Sequence, residues 1–404
     1  MPPTVARTIA SPRPKRHNQR DKRSVSLRIG IVTEYYYPLL GGISENVHHT
    51  ATELVARGHD VTIITSAPVS NGSPLAHPNG IPVRRVGRSG KIYGNGAIAH
   101  FAVGGVGLWQ DLKEVLRSEP FDILQLHSPL FFTLPPLAAL LGRCARVGTF
   151  HSYFAPTLLP TLVYNSLKGI LQKQFVDRLD GVTVVSPSVL QALSRYFEMD
   201  NARVIPNGVD TGMFTPNAPR LARFTDDKRT LLFLGRFDPR NGLPFMIRAF
   251  AEVRKRMRDV RLVIVGTGPL EPVYRNMVPE DLRDDIHFEG PALVNRPSYY
   301  TTADVFCSPI SNASFGITLL ESMACGTPIV ATDNVGYRDL LDPTEGLLVP
   351  GDEGAFADAI IQVLTDDRLR QGMREAGLRK AERYSWPRVV GSLLDYFEEV
   401  VSHQ

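Results

Sequence analysis

Cysteine is almost missing from this 404-residue chain: Cys144, Cys307 and Cys325 are odd in number and set in apolar surroundings. That argues against a disulfide framework and a cysteine-ligated metal site, and fits buried thiols in a reducing compartment. Long apolar runs are missing too. None approaches the ~18–20 residues a membrane-spanning helix needs, and no apolar core segment follows the basic leader, so the leader is not read as a secretory signal. A cytoplasmic protein is expected, soluble or peripheral at the inner face of a membrane. With 43% hydrophobic and 21% charged residues, the composition points away from disorder and from a fibrous repeat.

Charge of one sign is scarce at one end. Residues 1–26 carry seven Lys and Arg against Asp21 alone, a net +6, while the whole chain is +4 and residues 27–404 sum to −2. A Pro-containing basic stretch of this kind is expected to be a disordered tail. An electrostatic tether to anionic lipid is its functional alternative, at ~1 kcal/mol per basic residue near the surface.

What is present is a rhythm. From Arg28 on, short β-branched runs alternate with helical stretches: Arg28–Thr33, Asp60–Thr65, Asp122–His127, Val147–His151 and Val182–Ser186 read as buried strands. After a loop rich in Pro, Asn and Asp the pattern restarts with Leu231–Gly235, Leu262–Gly266, Ile286–Glu289, Val305–Pro309 and Ile329–Thr332. Strands separated by helices imply parallel sheets covered on both faces. The reading is α/β, two facing doubly wound domains whose strands end at one crevice. Its division is a 1–26 tail, a 27–205 domain, a 206–384 domain and a 385–404 helix whose Trp386, Tyr396 and Phe397 need a surface to bury against.

The loops at those strand ends hold the candidate chemistry. Gly41 and Gly42 follow the first strand and precede a helix beginning near Ser44; glycines there let backbone N–H groups approach a phosphate or a sugar closely, although a plain tight turn explains them as well. They do not form the Gly-x-Gly-x-x-Gly dinucleotide fingerprint. Arg236, just after the first strand of the second half, suits a phosphate oxygen through its planar donor fork, with Arg240 and Asn241 in the same loop. Gly316 and Ile317 open a helix directly after another strand, where free N–H groups and the helix dipole make a diphosphate seat. Glu321 lies further along that helix, where a carboxylate accepts from ribose hydroxyls. His127 and His151 both end strands of the first half. No metal spacing accompanies them, and no Asp-any-Asp triple is present, so no metal site and no cofactor are expected.

Together these residues resemble the family 4 retaining glycosyltransferases of the GT-B fold, from about Arg28 to the C-terminus. The stretches that carry the resemblance are Tyr37–Gly42 with 57–61, 205–210, Gly235–Gly242, Val265–Pro269, and Ser314–Gly326 followed by 327–331. Phe150-His151-Ser152 and 91–96 make the chain look most like the phosphatidylinositol mannosyltransferases. The resemblance implies that Gly42 approaches the donor phosphate, His151 sits beside the transferred sugar, Arg236 binds the diphosphate, Gly316 and Ile317 donate to it, and Glu321 holds the ribose. Gly41, Arg240, Asn241 and Gly266 complete the implied donor site; Tyr37, Tyr93, Asn95 and His100 form the implied acceptor site. The last helix would cross back onto the first domain. GDP-mannose or a UDP-sugar is the implied donor, a lipid or glycan the acceptor. An anionic membrane surface is a further expected partner, carried by Arg84, Arg85, Arg88 and Lys91 beside the apolar 98–103 segment. Nucleic acid is not among the expected partners.

Two positions depart from the family pattern: Asn241 stands where a Lys is usual, and Ala313 where a Glu opens the paired-Glu motif. A lost charge-assisted hydrogen bond is worth roughly 1.5–3 kcal/mol, so a catalytically weakened protein that binds a nucleotide sugar or lipid is the alternative to an active transferase. His100 stands where the mannosyltransferases carry an Arg. No lysine is placed to carry a pyridoxal cofactor, which disfavours a phosphorolytic enzyme of the same architecture.

Overall fold

The computed structural model describes residues 26–39, 41–67, 80–94, 97–130, 133–152, 166–167, 169–292 and 295–404, with the side chains of 92–94 and 97–99 left aside. The expected 1–26 tail therefore falls outside them except for Ser26, whose hydroxyl donates to the Gly58 carbonyl at 2.8 Å.

The first half is an eight-stranded sheet in the order β4-β3-β2-β1-β5-β6-β7-β8. Its strands are β1 (Arg28–Val32), β2 (Asp60–Ala67), β3 (Val83–Gly94), β4 (Ala97–Val103), β5 (Ile123–His127), β6 (Ala145–Phe150), β7 (Gly181–Val184) and β8 (Ala202–Val204). All neighbours are parallel except the β3–β4 pair. The second half is a six-stranded, all-parallel sheet in the order β11-β10-β9-β12-β13-β14, made of β9 (Arg229–Leu234), β10 (Val260–Val265), β11 (Ile286–Phe288), β12 (Val305–Ser308), β13 (Ile329–Thr332) and β14 (Gly346–Val349). Continuous apolar runs such as Val260–Val265 are buried along their whole length, as parallel strands covered on both faces require.

In each sheet the strand order reverses once, between β1 and β5 in the first and between β9 and β12 in the second. Loops leaving the strands on either side of a reversal diverge and open a crevice, so ligands collect there. The carboxyl ends of β1, β5, β9 and β12 are where Gly42, His127, Arg236 and Gly316 fall, His127 as the last residue of β5 and the others in or just beyond the following loops. The fold thus gathers motifs that lie nearly 300 residues apart in sequence.

The final helix, Trp386–Ser402, returns to the first half. Its Trp386, Val390, Leu393 and Phe397 share one apolar core with Ile29, Val47, Leu54 and Val147. The His49 ring stacks on Trp386 at 5.1 Å, and the Tyr396 hydroxyl accepts from Val182 N at 3.0 Å while donating to Asn201 O at 2.7 Å. Burying such aromatic area at ~25 cal/mol per Å² ties the C-terminus to the first sheet.

Candidate functional site

The two halves meet at the glycine motifs. A methyl group added to Gly42 would come within 3.2 Å of Ile317 Cδ1, so the helix that opens at Gly42 (Gly42–Ala56) and the one that opens at Ile317 (Ile317–Ala324) face each other across the cleft. Ser186 Oγ donates to Ser314 O at 2.8 Å, and Asn46 Nδ2 donates to Asn207 Oδ1 at 2.9 Å, closing the apposition on either side. The first helix begins two residues earlier than the expected Ser44; glycines carry no side chain to cap it, and Ser44 instead donates to Leu39 O.

Arg236 follows β9 with its side chain half exposed, held by Asp238 at 3.2 Å. Its positive charge reaches Tyr35 and His100 on the opposite wall: burial raises the Tyr35 hydroxyl against a small opposing pull from Arg236, while burial, Lys91 and Arg236 all hold His100 down. Asn241 is buried; its Nδ2 donates to the Arg236 carbonyl at 2.7 Å and its backbone N donates to Asp238 Oδ1 at 3.2 Å. The side chain that stands in place of the usual Lys thus staples the loop that carries Arg236. Arg240 acts electrostatically on Tyr337, whose hydroxyl shares a 2.6 Å hydrogen bond with Ser308. Gly266 has φ 151, and a Cβ there would lie 1.9 Å from the Gly235 carbonyl oxygen, so only glycine lets β10 end against the Arg236 loop.

Glu321 is buried rather than solvent-facing. One oxygen accepts from the Tyr300 hydroxyl at 2.8 Å and the other pairs with Arg296 at 3.0 Å. Burial pushes the carboxyl up, against the pull of Arg296. Arg296 lies over the Phe214 ring at 5.2 Å and interacts across the cleft with Glu45 and Tyr37. Neither Arg296 nor Tyr300 was found in the sequence, since both sit in 295–300, which carries no motif.

On the first wall the His127 and His151 rings are joined, Nδ1 to Nε2, at 2.7 Å. Burial holds His151 at about 4, and burial with the neighbouring ring holds His127 well below the ordinary imidazole range. The register gives the signal that could have paired them. His127 lies opposite Thr149, and His151, two residues on, falls on the same face. A second buried group, Glu34 after β1, accepts from Leu134 N at 2.7 Å, and burial raises its carboxyl to about 7.

Of the expected acceptor residues, Tyr37 packs edge-on against His48 at 5.4 Å. The backbone N of His100 donates to the Tyr35 hydroxyl at 3.2 Å and its ring to or from Ser89 at 3.4 Å. Asn95 lies outside the described residues, as does the side chain of Tyr93. The expected basic patch is smaller than its sequence suggests: Arg84 is paired with Glu119, and Arg85 donates to the carbonyls of Ser66 and Tyr37. Arg88 and Lys91 remain at the surface. Among the described residues no helix is long and apolar enough to cross a membrane, and no group of three or more His, Cys, Asp or Glu is arranged to hold a metal ion.

Residues 40–212 match the glycosyltransferase family 4 model, and residues 228–366 match the model described as glycosyl transferases group 1. The chain is 32% identical over 383 residues to the phosphatidyl-myo-inositol mannosyltransferase of Mycolicibacterium smegmatis, covering 93% of this chain and 94% of that one. The chain belongs to glycosyltransferase family 4. It is also 28% identical to the alpha-monoglucosyldiacylglycerol synthase of Streptococcus pneumoniae, over 84% of this chain and 78% of that one. A glycosyltransferase from Rickettsia africae superimposes with a TM-score of 0.75 at 19% identity, covering 94% of this chain and all of that one, which identifies the architecture as GT-B. The chain is therefore a glycosyltransferase of the hexosyltransferase class with two Rossmann-like sheets, and its last helix crosses back onto the first.

Proposed function

We propose that the enzyme transfers a hexose, mannose before others, from a GDP- or UDP-activated donor to a hydroxyl of a lipid-linked or glycan acceptor, with retention and without a metal. The observation that carries this reading is the apposition of the helix starts at Gly42 and Ile317 across the cleft, together with Arg236 after β9, whose charge acts on Tyr35 and His100 of the facing wall. The Gly316 and Ile317 amides and the Arg236 fork supply the positive charge that a leaving diphosphate requires, and this is why no ion is invoked. Glu321, oriented by Arg296 and Tyr300, keeps lone pairs for ribose hydroxyls. Residues 27–205 would form the acceptor domain and 206–384 the donor domain. His151, Tyr37, Tyr93, Asn95 and His100 would line the sugar and acceptor side, and Gly41, Arg240, Asn241 and Gly266 would support the donor side.

The mannosyl donor and lipid acceptor rest on the 32% identity to phosphatidyl-myo-inositol mannosyltransferase. A surface feature points the same way. The helix Gly105–Ser118 buries Leu108 and Leu112 but leaves Val106 73% and Trp109 39% exposed. The Lys113 ammonium sits 4.2 Å over the Trp109 ring, and an exposed apolar pair with a cation beside it suits the interface of an anionic membrane. Incubation with a panel of GDP- and UDP-sugars, with and without phosphatidylinositol vesicles, tests the proposal by release of nucleoside diphosphate. Release from no donor, together with tight nucleotide-sugar binding, would favour the weakened binding module that Asn241 and Ala313 suggest.

A further inference from the structure

The His127–His151 contact has a geometry that fixes more than proximity. The ring planes differ by 8° and the centroids are 4.9 Å apart, while two nitrogens approach to 2.7 Å. Face-to-face rings could not bring their nitrogens so close. Rings lying edge to edge in one plane do, with an N–H pointing along the line between them. Both rings are buried and neutral, so one proton occupies the gap and each ring keeps one bare nitrogen.

Which ring donates follows from the far side of His127. Among the described residues its Nε2 meets no hydrogen-bond partner and is buried. If His127 accepted, that Nε2 would carry an orphaned N–H; if it donates from Nδ1, Nε2 is only an under-used acceptor. Orphaned buried N–H groups are the rarer of the two. We propose that His127 is a positioning residue for His151, donating from Nδ1 to Nε2 and thereby fixing both the plane of the His151 ring and its Nδ1–H tautomer.

The consequence rests on the proposed place of His151 beside the transferred sugar. With its Nε2 lone pair engaged, His151 is not a base at that nitrogen. It presents an N–H donor from Nδ1 and stays uncharged, so it places no positive charge beside a sugar that itself becomes electron-poor as the donor bond breaks. A misplaced or flipped ring would lose that donor, and displacements of this scale cost roughly 10- to 100-fold in rate.

The test uses the full chain with ring-¹⁵N histidine and four proteins: the parent, His127→Phe, His127→Asn and His151→Phe. In the parent, nitrogen resonances should identify His151 as the Nδ1–H tautomer, and in His127→Phe that assignment should be lost. Transfer from GDP-mannose and UDP-glucose, using whichever is turned over, should show kcat down at least tenfold in His127→Phe with the donor KM within about twofold. His127→Asn, whose amide nitrogen reaches the former Nδ1 position, should recover most of the loss. A parent His151 found as the Nε2–H tautomer overturns the proposal even if no variant folds. So does a His127→Phe protein with unchanged kcat while His151→Phe is inactive. If His151→Phe keeps full activity, the site reading of His151 fails, and the catalytic part of the proposal fails with it.

Discussion

The wall of the cleft built on β1, β5 and β6 buries His127, His151 and Glu34 with their uncharged forms favoured. The facing wall pairs its ionisable groups, Arg236 with Asp238 and Arg296 with Glu321, whose carboxyl burial pushes up against the pull of Arg296. The same protein interior thus treats ionisable groups in two ways, and partners decide which. A carboxylate or guanidinium survives burial when an opposite charge lies at ~3 Å, whereas an imidazole without one sheds its proton. Charge on one side suits a leaving diphosphate; a neutral, dry surface on the other suits a sugar ring.

The largest effect is expected where the charged wall is cut. Glu321→Ala leaves Arg296 buried without its carboxylate, which typically costs 3–5 kcal/mol. Urea unfolding should show that loss, and Glu321→Gln, which retains the shape, should lose less. If Glu321→Ala unfolds at the same denaturant concentration as the parent, Arg296 has another anchor and the pair does not hold this wall together.

Arg236→Ala should leave stability nearly unchanged, because the side chain is half exposed and its bond to Asp238 is a surface pair. Transfer should fall on the order of 100-fold, the usual cost of removing one donor to developing charge. Activity within about threefold of the parent would remove Arg236 from the diphosphate site.

How much of this contrast was legible beforehand varies with the kind of signal. Ten strands were readable because parallel strands are continuous apolar runs. The β3–β4 hairpin was not: Val83–Gly94 is broken by Arg84, Arg85, Gly87, Arg88 and Gly90, and its partner β4 is the edge strand, so no continuous apolar run marks this end of the sheet. Gly42, Arg236, Gly316 and Glu321 were legible from their places at strand and helix ends. The partners of Glu321 were not, because Arg296 and Tyr300 reach it only through tertiary packing. Glu34 escaped notice as one polar residue after an apolar strand, although a carboxyl beside the first amide of the Leu134–Leu141 helix is the feature that makes it unusual.

The neutral wall makes a prediction about acid. His151 titrates at about 4 in the folded chain against an ordinary 6.5, so the unfolded chain binds the proton first as pH falls. Its contribution is complete above ~6.5 and is lost as pH drops toward ~4, worth about 3 kcal/mol. Glu34 runs the other way: with a folded value near 7 against 4.5, its contribution is complete below 4.5 and is lost as pH rises toward 7. The two slopes oppose each other between pH 4.5 and 6.5. Glu34→Gln removes one of them, so its stability should climb with pH more steeply than the parent's in chemical denaturation across that window. Parallel curves would mean that Glu34 is ionised in the folded protein.

The smallest effect is expected at the position that departs from the family pattern. Asn241→Lys adds a cation beside the proposed diphosphate site, which by charge alone should tighten nucleotide binding. The Asn241 amide, however, donates to the Arg236 carbonyl, and a buried bond of this kind is worth about 1 kcal/mol. A lysine cannot keep that bond and also extend toward the cleft. The gain in charge and the loosening of the Arg236 loop should then nearly offset each other, leaving GDP and UDP affinity by calorimetry within about threefold of the parent, a difference under 1 kcal/mol. Combining it with Ala313→Glu should not change this, since Ala313 packs at the edge of the core that includes Tyr337 and Leu319. A tenfold gain in affinity from Asn241→Lys alone would show that the staple is dispensable and that charge, not loop geometry, limits the donor wall.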